Sequence, residues 1–178
     1  MKIVPTKLPG VFVIEPKSFR DERGFFVKVF HEETFKEHNL ECEFKENFFS
    51  VSNKNVIRGM HFHLPPKAHS KLVYVTSGKV LDVVVDLRKN SHTYGQYISA
   101  ELSANNHQML YIPKGCGHGF ISLEDNTCTI YLQTGVYSQE FDSGIHFDSF
   151  GFAWPCKKPT VSKRDNEMTL LKDFVSPF

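Results

Sequence analysis

At 178 residues with a formal net charge of +1, the chain is long enough to bury a full core as one domain and too evenly charged to hold nucleic acid on a basic face. No apolar run reaches the length of a membrane span, and the opening MKIVPTKLPGVF lacks the apolar core of a signal peptide, so a soluble cytoplasmic protein is expected, without membrane or nucleic-acid partners. The four cysteines, Cys42, Cys116, Cys128 and Cys156, form no C-x-x-C pair, which argues against a zinc ribbon and for reduced thiols.

Along the chain, DERGFF comes first, where Gly24 breaks the pattern between Arg23 and Phe26, two side chains placed to flank a ligand. EETFKEHNL, from Glu32 to Leu40, allows two helical turns. MHFHL, if extended, projects His61 and His63 from one face of a strand. SKLVYVTSG, KVLDVVVDLR, HQMLYIP and CTIYLQTGVY share β-branched and aromatic character over strand-like lengths. In KVLDVVVDLR, Leu81, Val83, Val85 and Leu87 fall on one face, and Val80, Asp82, Val84 and Asp86 on the other. Gly78 in TSGKV suits a tight turn between two of these runs, since glycine tolerates positive φ. Pro113, Gly115, Gly117 and Gly119 surround His118 in PKGCGHGF and predict a bend that aims the imidazole inward. RDNEMTLLKDF allows a last short helix. Many short strands with regular turn signals predict one all-β domain over residues 1–178, a sandwich or barrel with short helical additions in its N- and C-terminal regions.

The chemistry concentrates in RGMHFHLPPKAHSKLV, which starts at Arg58. With His118, its histidines could hold a divalent metal, which a carboxylate would complete. Against that, Lys67 and Lys71 follow with no Asp or Glu, and an ammonium beside a metal cation raises the electrostatic cost. The other reading is proton abstraction next to a carbonyl. Imidazole is a suitable base near neutral pH, Lys71 would stabilise an enolate oxygen, and a carboxylate would fix the tautomer of the base. Inversion then needs an acid on the opposite face, for which a strand tyrosine such as Tyr131 qualifies. Arg58, Arg23 and His118 could bind an anion such as phosphate.

Taken together, DERGFF, VIRGMHFH, SKLVYVTSGKVLDVVVDLRKNSHTYG, LSANNHQMLYIPKGCGHGF and SFGFAWP resemble the dTDP-4-dehydrorhamnose 3,5-epimerase family, small cupin enzymes, in their order and spacing from about residue 8 to 171. The resemblance implies a cupin-type jelly-roll β-barrel, no metal and no cofactor, a homodimer that exchanges an N-terminal segment, and a nucleoside-diphosphate 4-keto-6-deoxy sugar as substrate. It assigns the base to His61 of the R-G-x-H motif, its carboxylate partner to Asp165 of an S-x-x-D pattern, the enolate-stabilising lysine to Lys71 and the acid to Tyr131. It assigns phosphate contacts to Arg58, His118 and, from the partner subunit, Arg23, with Phe26 and Tyr137 near the nucleotide.

The chain departs from the family pattern at Lys28, where a glutamate is usual, and at Glu46, Asn47 and Phe48, where the pattern is Q-D-N. His63 replaces a glutamine and Leu132, next to the acid, a lysine. The changes toward the base open the choice of nucleotide to GDP or CDP, and Leu132 opens inversion at C3 alone. Rival readings on similar barrels are a sugar 3,4-ketoisomerase, a metal-dependent cupin oxygenase and a non-catalytic sugar-binding module.

Overall fold

The computed structural model describes residues 1–178, and strand alternation decides its architecture. The strands are β1 (Lys2–Pro5), β2 (Phe12–Glu15), β3 (Ser18–Asp21), β4 (Gly24–Val27), β5 (Glu46–Ser52), β6 (Val56–His63), β7 (Lys71–Ser77), β8 (Lys79–Asp86), β9 (Tyr97–Ser103), β10 (Met109–Ile112), β11 (Cys116–Ser122), β12 (Thr127–Gln133), β13 (Asp142–Gly144) and β14 (Thr160–Val161). Helices α1 (Glu32–Glu37) and α2 (Lys163–Asn166) and a 3₁₀ turn (Leu171–Asp173) complete it. No helix is long and apolar enough to cross a membrane.

Pairing is nested. β5 pairs β12, β6 pairs β11, β7 pairs β10 and β8 pairs β9, as in one long hairpin with its turn between β8 and β9. That hairpin rolls up because β12 also pairs β7, and β11 also pairs β8. The product is the expected jelly roll, with one sheet in the order β1-β2-β10-β7-β12-β5 and the other β13-β6-β11-β8-β9, with β14 beside β6.

Both faces of the central strands are buried, for different reasons. Between the sheets, Val80 and Val84 of β8 meet Val73 and Val75 of β7, Leu110 of β10 and Phe120 of β11. On the outer face, Val83, Val85 and Leu87 pack against Met60 and Phe62 under a C-terminal cover that includes Phe150, Phe152, Phe174 and Phe178. The opposite outer face holds Leu72, Ile14 and Met109 beneath Phe35 of α1. A fully buried side chain of this size contributes ~1.5–3 kcal/mol, so each cover is a substantial source of stability. The two-faced reading of KVLDVVVDLR therefore holds. Gly78 (φ +74) makes the turn between β7 and β8, and all four cysteines are free thiols.

The helices are shorter than their sequence pattern allows. α1 stops at Glu37, and the chain turns away at Asn39 with φ +55, a left-handed exit that Asn tolerates. RDNEMTLLKDF is not continuous helix: α2 ends at Asn166 and helical structure resumes only at Leu171. Between them Thr169 O accepts from His146 N–H at 2.9 Å and Leu171 N–H donates to Ser149 Oγ at 3.0 Å. These tertiary bonds hold the segment against the barrel and replace the helical ladder.

Candidate active site

β6 carries one residue more than β11 between paired positions, with His61 opposite His118 but Arg58 opposite Phe120. The surplus is taken up at Gly59, whose φ of +137 suits glycine, and where a Cβ would lie 2.5 Å from Gly119 Cα. The bulge breaks the two-residue alternation, so Arg58 joins His61 and His63 on the pocket face while Met60 and Phe62 pack outward. This is the physical content of R-G-x-H. The pocket they enter has a volume of about 580 Å³.

Asp165 arrives from 104 positions away because β14 runs parallel to β6, pairing Thr160 with Val56 and Val161 with Ile57, and delivers α2 to the base of His61. Ser162 caps α2, its Oγ accepting from Asp165 N–H at 3.0 Å. An acidic side chain three residues into a helix commonly reaches back to the cap. Here Asp165 is turned instead to His61 Nε2 (2.9 Å to Oδ1) and to the Gly59 N–H (3.1 Å to Oδ2). Burial raises its carboxyl, but the bonds from His61 and Gly59 outweigh that and hold it below the usual range. A carboxylate so placed keeps the ring proton on Nε2 and leaves the Nδ1 lone pair free to accept a proton.

Lys71, at the start of β7, is buried, with Nζ 3.4 Å from His61 O. Burial pulls its ammonium down to about 8, against the pull of Asp142 and Asp82. Tyr131 points inward from β12, its hydroxyl 3.1 Å from Ser50 Oγ, its ring stacked on Phe48 (4.7 Å between centroids, 17°) and edge-on to His118. Burial raises its phenol. His118 Nε2 donates to Asp82, 2.8 Å away, both buried. The structure thus brings His61, Asp165, Lys71, Tyr131, Arg58, His63, His118, Glu46 and Tyr137 to one pocket. Three imidazoles gather, yet His61, His63 and His118 each turn Nε2 to a different partner.

The remaining expected residues are placed differently. Asn47 is not in the pocket: it lies between Glu46 and Phe48, so alternation turns it to the exposed face of β5. Glu46 and His63 spend an acceptor on the protein's own backbone, at Tyr137 N–H and Ser138 N–H. Leu132 packs on the outer apolar layer, on the far side of β12 from the Tyr131 phenol. Arg23, Phe26 and Lys28 sit on or just beyond the β3–β4 hairpin, outside this chain's own pocket, and the Arg23 guanidinium rests on Asp21. Strand β2 pairs with β10 and β1 with β2, all within the same chain, leaving that hairpin as the projecting element.

Three residues were missed. Asp82 interrupts the apolar run VLDVVVD, and a carboxylate on a buried strand face signals a partner. Ser50 gave no signal. Asp142, which lines the pocket and pairs with Arg164 at 2.8 Å, gave none either.

A family model described as dTDP-4-dehydrorhamnose 3,5-epimerase matches residues 5–173. A protein of that name from Shigella flexneri is 40% identical over 168 residues, 93% of each chain. Among solved structures, the dTDP-4-dehydrorhamnose 3,5-epimerase of Bacillus anthracis with TDP and PPi bound superposes with a TM-score of 0.92 at 35% identity, covering 95% of this chain and 98% of that one. The dTDP-6-deoxy-D-glucose-3,5-epimerase of Legionella pneumophila, in complex with dTDP-4-keto-L-rhamnose, gives 0.93 at 34% identity, covering 98% and 94%.

Proposed function

This chain belongs to the dTDP-4-dehydrorhamnose 3,5-epimerase family, and we infer that it is an isomerase that inverts C3 and C5 of a dTDP-linked 4-keto-6-deoxy sugar in the pocket between its sheets. The observation that carries the mechanism is the His61–Asp165 contact, 2.9 Å long and 104 residues apart in sequence. His61 Nδ1 removes the proton from the carbon beside the C4 ketone. The Lys71 ammonium stabilises the enolate oxygen inside a buried wall, where charge stabilisation is stronger than in water. Tyr131, on the facing sheet, returns a proton to the other side of that carbon. Its raised phenol stays protonated until a carbanion-like carbon takes the proton, and solvent exchange then resets both groups. Arg58, His118 and Arg23 hold the diphosphate, and Tyr137 and Phe26 pack toward the nucleotide. Glu46 already accepts from the Tyr137 backbone and Asn47 faces away, which supports a dTDP-linked substrate in spite of the departures at these two positions. Incubation with dTDP-4-keto-6-deoxyglucose in deuterated water should place deuterium at C3 and C5 with the ketone kept at C4. A ketone found at C3 would mean the 3,4-ketoisomerase reading is correct instead.

Arg23 requires a second subunit to act. The hairpin that carries it exposes Phe19, Phe25 and Phe26, each 62% accessible, more apolar surface than a free hairpin tip tolerates well. In the homodimer we propose, this hairpin crosses to the partner's pocket. Mixing Arg23→Ala with His61→Ala protein should then restore activity that neither shows alone, because hybrid dimers contain one intact site. No recovery after subunit exchange has been demonstrated would mean that Arg23 does not act in trans.

A further inference from the structure

The loop from residue 134 to 141, between β12 and β13, carries Tyr137 at the pocket mouth, and two successive amides of it are held from opposite sheets. Tyr137 N–H donates to Glu46 Oε2 of β5 at 2.6 Å, and Ser138 N–H donates to His63 Nε2 of β6 at 3.3 Å. The His63 ring also meets the Tyr137 ring edge-on, with centroids 5.7 Å apart at 86°. At its ends the loop is tied by Thr134 N–H to Ser70 O and by Leu64 N–H to Phe141 O. Between those ties Val136 and Tyr137 are more than half exposed, so packing does not fix the tyrosine. Its backbone is fixed by the two side-chain acceptors.

We propose that Glu46 and His63 are positioning residues that clamp Tyr137 over the pocket mouth, so that its ring is already in place when the nucleotide end of the substrate arrives. The clamp rests on the reading of Tyr137 as a nucleotide-side aromatic. An acceptor at Nε2 requires neutral His63 with its proton on Nδ1. Burial keeps the ring neutral, pulling it down to about 4, helped by His69 and Lys71 and opposed by Asp142 and Glu46. Pre-placing a contact lowers the ordering cost of binding, so the clamp acts on affinity and not on the proton transfers.

The test reads the amides and the affinity separately. In the full-length protein the Tyr137 and Ser138 amides should exchange with solvent at least about tenfold more slowly than unprotected amides. Glu46→Ala should release the first and His63→Leu the second. Each should weaken dTDP binding, measured by calorimetry, by about five- to tenfold, the loss expected for one hydrogen bond. Glu46→Gln and His63→Gln keep an acceptor and should restore affinity to within about twofold. Unprotected amides in the native protein overturn the clamp, as do Ala and Leu variants that bind dTDP normally while Tyr137→Ala does not. A Tyr137→Ala protein with unchanged affinity removes the aromatic reading, and the clamp's effect on binding with it.

Discussion

Asp165→Asn and His61→Ala are each expected to lower kcat by about 10²–10⁴-fold, the usual contribution of a general base and its orienting carboxylate. The asparagine variant is the sharper of the two because it preserves shape. The Gly59 N–H, 3.1 Å from Oδ2, demands an acceptor, so the amide oxygen must face it. The amide NH₂ then faces His61 Nε2, which becomes the acceptor. The ring proton moves to Nδ1, and the nitrogen that should abstract the substrate proton is capped. His61→Ala removes the base outright, and its side chain is 31% exposed, so the fold should tolerate the loss. Asp165→Asn disturbs a buried contact between α2 and β6 and should cost about 1–3 kcal/mol of stability. The Asp165 carboxyl lies below its usual range in the folded protein, so its contribution is full above the unfolded value, about 4, and is lost as pH falls through the folded value. The asparagine variant should therefore lose less stability on acidification than the native protein. Turnover within about tenfold of native in Asp165→Asn, by steady-state assay, would falsify the dyad.

That dyad marks the border between what the sequence discloses and what only the fold supplies. Alternation in KVLDVVVDLR and CTIYLQTGVY was legible because a strand side chain has two directions, and burial on both faces still obeys the period. His61 and His63 on one face followed from the same rule. Arg58 did not: three positions from His61, it shares that face only because the bulge at Gly59 adds a residue, and a bulge is set by the partner strand. Asp165 was reachable only through the family motif, since its place depends on β14 lying beside β6, a pairing of two residues. Glu46 and His63 show the opposite failure. Their positions in the pocket were foreseen, but polar side chains in a pocket have two possible clients, the ligand and the nearby backbone. Two free amides in an exposed loop are a demand that no local pattern announces. The overlong C-terminal helix failed for the same reason, because tertiary bonds at Thr169 and Leu171 outcompeted local propensity.

Tyr131→Phe should separate the two halves of the reaction. The ring survives the change, so the stack on Phe48 and the edge contact with His118 persist, and only the hydroxyl with its 3.1 Å bond to Ser50 is lost. The stability cost should be near 1 kcal/mol, the net worth of one hydrogen bond. Inversion should fall by about 10²-fold or more, because no acid remains on the face away from His61. Proton abstraction should continue, since His61, Asp165 and Lys71 are untouched. In deuterated water the variant should therefore place deuterium into recovered, uninverted substrate within about tenfold of the native exchange rate, while His61→Ala loses exchange and inversion together. The alkaline limb adds a second handle. Burial raises the phenol, whereas it draws the Lys71 ammonium down to about 8, so the group that loses its proton first as pH rises is the one proposed to stabilise the enolate. Activity should fall above pH 8 in the native enzyme, and exchange in Tyr131→Phe should fall across the same interval. Loss of the limb with the phenol would move it to Tyr131, and a Phe variant that inverts at the native rate would remove the tyrosine from the chemistry.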